Sequence, residues 1–214
     1  MYRIRGITFY PDEVRDLAIA WVALGLAFTF FLLPQGFIPE FIAGVLDMEM
    51  VGTTFLMSML TVGTAFLLHE LAHKVVAVRF GQIAAFRADY GMLGLAVASG
   101  LAGFLIAAPG AVIHRGRISL RENGLISVAG PVTNFVLATG FFLAFLVTEC
   151  LLQQIVHWGV VVNLFLGVFN MIPFGALDGK TVKKWDETVF TAVIGVGILA
   201  GAGFMLTFGF PSPF

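Results

Sequence analysis

His69, Glu70 and His73 form the motif HELAH within "TAFLLHELAHKVVAV", residues 64–78, where nearly every other residue is apolar. Helical side chains four apart share a face, so the two imidazoles can reach one metal ion together. Neutral imidazole nitrogen suits zinc, which in hydrolytic sites keeps a position for water and lowers that water's pKa to about 7. Glu70, next to the first histidine, is placed to take the water's proton and pass it to a leaving amine. The alternative is a packed histidine pair with Glu70 hydrogen-bonded to one ring. Ionisable side chains in hydrocarbon are costly and mark function by default, which favours the metal.

The setting is hydrocarbon because the chain is built for it. Of 214 residues, 59% are hydrophobic and 12% charged, and mean hydropathy is +0.97. Soluble domains carry about 25% charged residues. A net charge of −1 offers nucleic acid no electrostatic partner, and a lone cysteine, Cys150, rules out an internal disulfide framework or a Cys-rich zinc site. No cleavable leader is evident. Residues 17–33, 50–68, 90–113, 123–148, 150–177 and 188–214 contain no Asp, Glu, Lys or Arg. Most of these runs reach the roughly 18–20 residues that a spanning helix needs.

Lys and Arg fall in four groups: Arg3/Arg5/Arg15, Lys74/Arg79/Arg87, Arg115/Arg117/Arg121 and Lys180/Lys183/Lys184. The positive-inside rule puts all four in the cytoplasm, with the N-terminus and the site's opening. This predicts spans at about residues 17–33, 52–73, 126–148, 157–177 and 188–208, provided that 90–113 does not cross once. Its five glycines and Pro109 suit a re-entrant path, tolerated at membrane depth only where protein or a wet cavity shields it. An ordinary sixth helix is the alternative. On either side, "VRFGQIAAFRADY" and "AVIHRGRISL" alternate enough for short strands. The fold class expected is therefore α: a polytopic membrane protein, residues 1–214 one domain, with five to six spanning helices and a small β/re-entrant element after HELAH.

A hydrolytic zinc needs a third protein ligand. His157 falls near the opposite face of the membrane on this map. His114, among arginines, reads best as a solvated or interfacial side chain. Asp178 ends the fifth charge-free run at the depth of His69 and His73.

Three separated motifs now stand together: "HELAH", "AGPVTN" and "NMIPFGALDG". With them the chain resembles the site-2 proteases, intramembrane zinc metalloproteases, over about residues 60–185. The resemblance implies one Zn2+ per chain on His69, His73 and Asp178, with Glu70 as catalytic acid/base. It also implies that Asn134 and Asn170 position substrate. Their plainer readings are an amide satisfying backbone at the start of a helix (Asn134) and helix termination before Pro173 (Asn170). Gly179 would supply a tight turn. The implied activity is hydrolysis of peptide bonds in or near transmembrane helices of membrane-protein substrates, a bilayer and a spanning protein being the partners. Lys180, where many relatives have a second glycine, departs from the pattern. Two rivals are a zinc or proton transporter, which lacks midplane relay groups here, and an inactive helix-binding relative, which the intact HELAH and Asp178 argue against.

Overall fold

The computed structural model describes residues 1–4, 6–33, 37–45, 47–106 and 109–211; Arg5 of the first basic group lies outside them. Among the described residues, five helices are long and apolar enough to cross a membrane: Pro11–Leu32, Met48–Arg79, Leu120–Phe145, Cys150–Asn170 and Glu187–Phe208. The chain is a polytopic helical membrane protein.

In chain order the elements begin with a hairpin, β1 (Tyr2–Ile4) and β2 (Ile7–Phe9), too short to leave a pattern in the sequence. Helix α1 is Pro11–Leu32, α2 Phe37–Ile42 and α3 Met48–Ser58. A π turn, Met59–Gly63, leads into α4 (Thr64–Arg79), which carries HELAH. Then come β3 (Ile83–Ala88), α5 (Tyr90–Leu101), β4 (Gly110–Arg115), α6 (Leu120–Phe145), α7 (Cys150–Asn170), α8 (Asp178–Trp185) and α9 (Glu187–Phe208).

Polar residues inside the spans are mostly self-sufficient. Thr29, Thr54 and Thr61 donate to the carbonyl four residues earlier, which removes the cost of an unpaired hydroxyl. The π turn needs outside help. A wide turn displaces the regular ladder, and the Met59 carbonyl accepts from Trp21 Nε1 at 3.0 Å and Thr64 Oγ1 at 3.2 Å. Gly63 makes room for the indole, since a Cβ there would lie 2.3 Å from Trp21 Cδ1. Thus α1 grips the helix that carries HELAH at Met59 and Gly63, about two to three turns before His69.

The 90–113 stretch is re-entrant rather than a sixth spanning helix. β3 and β4 pair antiparallel with Ala88 opposite Gly110, and Asp89 N–H donates to the Pro109 carbonyl at 3.1 Å. The excursion therefore leaves and returns at one point. Its helix α5 has 12 residues, about 18 Å of rise, too short to cross. α5 lies against α1, and a Cβ on Gly100 would sit 2.3 Å from the Ala27 carbonyl oxygen.

One other expectation needs correction. Helix α6 starts at Leu120, capped by Ser119 and Glu122, so Gly130-Pro131 lies inside it and does not begin it. Lys74, grouped with the cytoplasmic bases by charge counting, is fully buried beside an equally buried Glu13. Its ammonium also donates to the Thr8 carbonyl at 2.7 Å and lies 4.1 Å from the Phe9 ring centroid. Glu13 in turn accepts from Phe86 N–H. The pair ties hairpin, α1, α4 and β3 at one point, one residue past His73. Lys74→Met leaves a buried carboxylate without its cation and should cost about 3–5 kcal/mol. Lys74→Met with Glu13→Leu should recover much of this in a thermal-unfolding measurement.

The remaining Lys and Arg of the described residues lie at this same end of the bundle, with β1–β4, α8 and the start of α9. α9 is the most peripheral span, with 11% of its most apolar window buried.

Candidate metal centre

α4, α6 and the turn after α7 meet at this end. His69 and His73 stand one turn apart on α4, rings 4.6 Å between centroids and nearly perpendicular. Asp178, the first residue of α8, brings Oδ2 within 3.2 Å of His69 Nε2 and 3.3 Å of His73 Nε2. His69, Glu70 and His73 are all buried, while the Asp178 side chain is 16% exposed, so the centre opens toward α8.

Each imidazole is oriented from behind. His73 Nδ1 donates to the Ile126 carbonyl at 2.7 Å, and His69 Nδ1 to Asn134 Oδ1 at 2.6 Å. With the proton on Nδ1, the Nε2 lone pairs point at one place. Asp178 supplies the carboxylate oxygen of the set.

Zinc fits this donor set. Two imidazole nitrogens and a carboxylate oxygen leave one tetrahedral position, and ligands about 2.05 Å from zinc lie about 3.3 Å from each other. The observed 3.2 and 3.3 Å separations match that spacing. Gly130 of α6 lines the cradle: a Cβ there would lie 2.5 Å from both Nε2 atoms.

The turn carrying Asp178 works differently from expectation. Its left-handed residue is Gly175, φ 60°. Gly179 serves close packing instead, because a Cβ there would meet the Met171 carbonyl oxygen at 2.0 Å. Lys180, the departure noted above, reaches back to the Gly175 carbonyl at 3.4 Å.

Glu70 Oε2 accepts from Val112 N–H of β4 at 3.1 Å, which places its carboxylate between the cradle and a strand. Asn134 is fully buried and engages His69, the Ala65 carbonyl and Asn163, an orientation role that the motif alone did not reveal. Asn170 donates to Leu166 O of its own helix, at the start of the turn to Asp178. His114 on β4 is half-buried; burial first, and His73 second, push its imidazole below the ordinary value, and it is not among the converging ligands. His157 sits at the far end, its Nε2–H donating to the Gly209 carbonyl at 3.2 Å beside the Phe145 and Phe204 rings.

A provisionally named zinc metalloprotease from Methanocaldococcus jannaschii is 36% identical over 202 residues, 92% of this chain and 95% of its own. The chain belongs to this family of zinc metalloproteases. A second relative, from Bacillus subtilis and also provisionally named a zinc metalloprotease, is 36% identical over 147 residues. That match spans 58% of this metalloprotease and 65% of the relative. No family model matches the chain, and no solved structure does. Zinc is accordingly the metal of the metalloprotease, and His69, His73 and Asp178 are the group that can hold it.

Proposed function

We propose that this metalloprotease is an intramembrane enzyme of the site-2 type, hydrolysing peptide bonds within or near transmembrane helices. The observation that carries the reading is the position of HELAH inside the spanning helix Met48–Arg79, facing Asp178 at the foot of α7. All described Lys and Arg gather at that end of the bundle, which by the positive-inside rule makes it cytoplasmic and the cell membrane the natural site. The 214 residues act as one domain.

When bound, zinc supplies the Lewis acidity that lets water lose a proton near neutral pH. Glu70 takes that proton as the C–O bond to the peptide carbonyl carbon forms, then delivers it to the amine nitrogen, which leaves as the C–N bond breaks. Asp178, the most exposed ligand, marks the side from which water arrives. Asn170 is the amide available to position substrate. Asn134 is a positioning residue for His69.

A peptide bond in a spanning helix is shielded by its own hydrogen bonds and must unwind to react, and the bared backbone then needs partners in an apolar setting. Strand β4 supports such a role better than β3. Phe86 and Val112 face each other, and both point their N–H groups outward, to Glu13 and Glu70. Outward and inward pairs alternate in an antiparallel ladder, so Gly110, Val112 and His114 present the outer edge of β4. On β3 the outer N–H groups of Phe86 and Ala88 are taken by Glu13 and Asp16 of α1. A substrate strand adding to β4 would lie alongside Glu70.

The test is cleavage of a labelled transmembrane peptide, with the cut mapped by mass spectrometry. His114→Pro removes one outward N–H while His114→Ala keeps it, so the difference isolates the edge bond. We expect His114→Pro to cleave at least about tenfold more slowly than His114→Ala, each retaining zinc. Equal rates would remove β4 from substrate binding. A cut confined to water-exposed segments would remove the intramembrane reading.

A further inference from the structure

Asn163 lies on α7, fully buried in an apolar span, and belongs to none of the motifs read from the sequence. It touches neither the ligand atoms nor any open surface. Its side chain nevertheless ends a chain of hydrogen bonds that begins at a metal ligand. Asn163 Nδ2 donates to the Gly159 carbonyl at 2.8 Å, and Asn163 Oδ1 accepts from Asn134 Nδ2 at 3.1 Å. Asn134 Nδ2 also donates to the Ala65 carbonyl at 3.3 Å, and Asn134 Oδ1 accepts from His69 Nδ1 at 2.6 Å.

The polarity of this chain follows from its fixed ends. A backbone carbonyl only accepts, so Gly159 requires the NH2 of Asn163 and thereby turns Asn163 Oδ1 toward Asn134. Asn134 then faces two acceptors, Asn163 Oδ1 and Ala65 O, and meets both with its NH2. Its oxygen is left to His69, whose Nδ1 must carry the proton. Turning the Asn134 amide over would set its oxygen against two other oxygens in a dry interior, where unpaired polar groups cost most. His73 needs no such device, because Ile126 O fixes its Nδ1–H directly. The two ligands reach the same tautomer by different means, one from backbone and one through two amides.

We propose that Asn163 is a positioning residue for the metal centre: it fixes the Asn134 amide, and through it the Nδ1–H tautomer that turns the Nε2 lone pair of His69 to zinc. The inference rests on zinc being held at His69, which the native protein's own affinity in the same experiment checks separately. Residues that orient zinc-bound histidines alter metal affinity about 10–100-fold when removed. Asn163 acts one bond further out, with an effect nearer that of a single buried hydrogen bond, about fivefold.

The experiment is a zinc-affinity measurement on the full chain in detergent, by competition with a chelating dye. Asn163→Thr is the variant of choice. Its hydroxyl can keep the bond to Gly159 O, as Thr29 and Thr61 do with their own helices, while its shorter side chain withdraws the acceptor from Asn134. We expect Asn163→Thr to bind zinc about fivefold more weakly and Asn134→Leu about 10–100-fold more weakly. The double variant should bind no more weakly than Asn134→Leu alone, since Asn163 acts only through Asn134. Asn163→Leu replaces the threonine variant if that one does not fold, with the same pattern expected. Native affinity in the single variant, or losses that multiply in the double, would overturn the proposal.

Discussion

We expect Glu70→Gln to lower peptide cleavage about 10²–10⁴-fold and to leave zinc in place. Glutamine matches the shape of glutamate and can still meet Val112 N–H through its oxygen, so the β4 contact and the packing around α4 persist. What goes is a group able to take a proton. Glu70 is not among the converging ligands, which are His69, His73 and Asp178, so metal content should stay at one zinc per chain. Paired measurements of cleavage rate and bound zinc decide it. Loss of zinc together with activity would make Glu70 part of the metal's support, and undiminished cleavage would take the proton transfer away from it.

The second large effect comes from a residue with no functional group. Gly130→Ala places a methyl 2.5 Å from both ligand nitrogens and 2.6 Å from His69 Cε1. Neither ring can retreat without giving up its Nδ1 bond to Asn134 or Ile126. Alanine normally favours a helix over glycine by about 1 kcal/mol, so helix propensity alone predicts the opposite sign. We expect the variant to lose zinc at least about a hundredfold more readily and to be inactive, since its methyl displaces the ligand nitrogens themselves. Gly140→Ala on the same helix is the control, because nothing lies within 4 Å of a Cβ there. Native zinc binding by Gly130→Ala would mean that α6 stands further from the histidines than the structure has it.

How much of this was legible depended on what kind of pattern each feature leaves. HELAH declares itself by spacing, and Asp178 could be matched to it by depth, because charged residues in a membrane chain report height. Charge counting does not show that Lys74 is buried, because the partner that pairs with it, Glu13, is 61 residues away. The re-entrant path was an open alternative in the charge map, decided by the strand register between Ala88 and Gly110. The β1–β2 hairpin left no signal in strands of three residues. Gly130 and Gly179 are glycines for reasons of approach, to imidazole and to a carbonyl, and no local pattern announces what stands opposite. Asn163 is the extreme case: one amide in an apolar run, with its meaning held by α6 and α4.

The proposed function requires that this chain, with one zinc held on His69, His73 and Asp178, hydrolyse a membrane-embedded peptide. The most direct measurement incubates the purified chain in lipid vesicles with a labelled transmembrane peptide, in native form, after chelator treatment, and after zinc is restored. The expected result is a cut near the cytoplasmic end of the peptide's span, loss of cleavage with the chelator and its return with zinc. Cleavage that survives complete zinc removal, or a zinc-loaded chain that leaves the embedded peptide intact while cutting a soluble one, would contradict it.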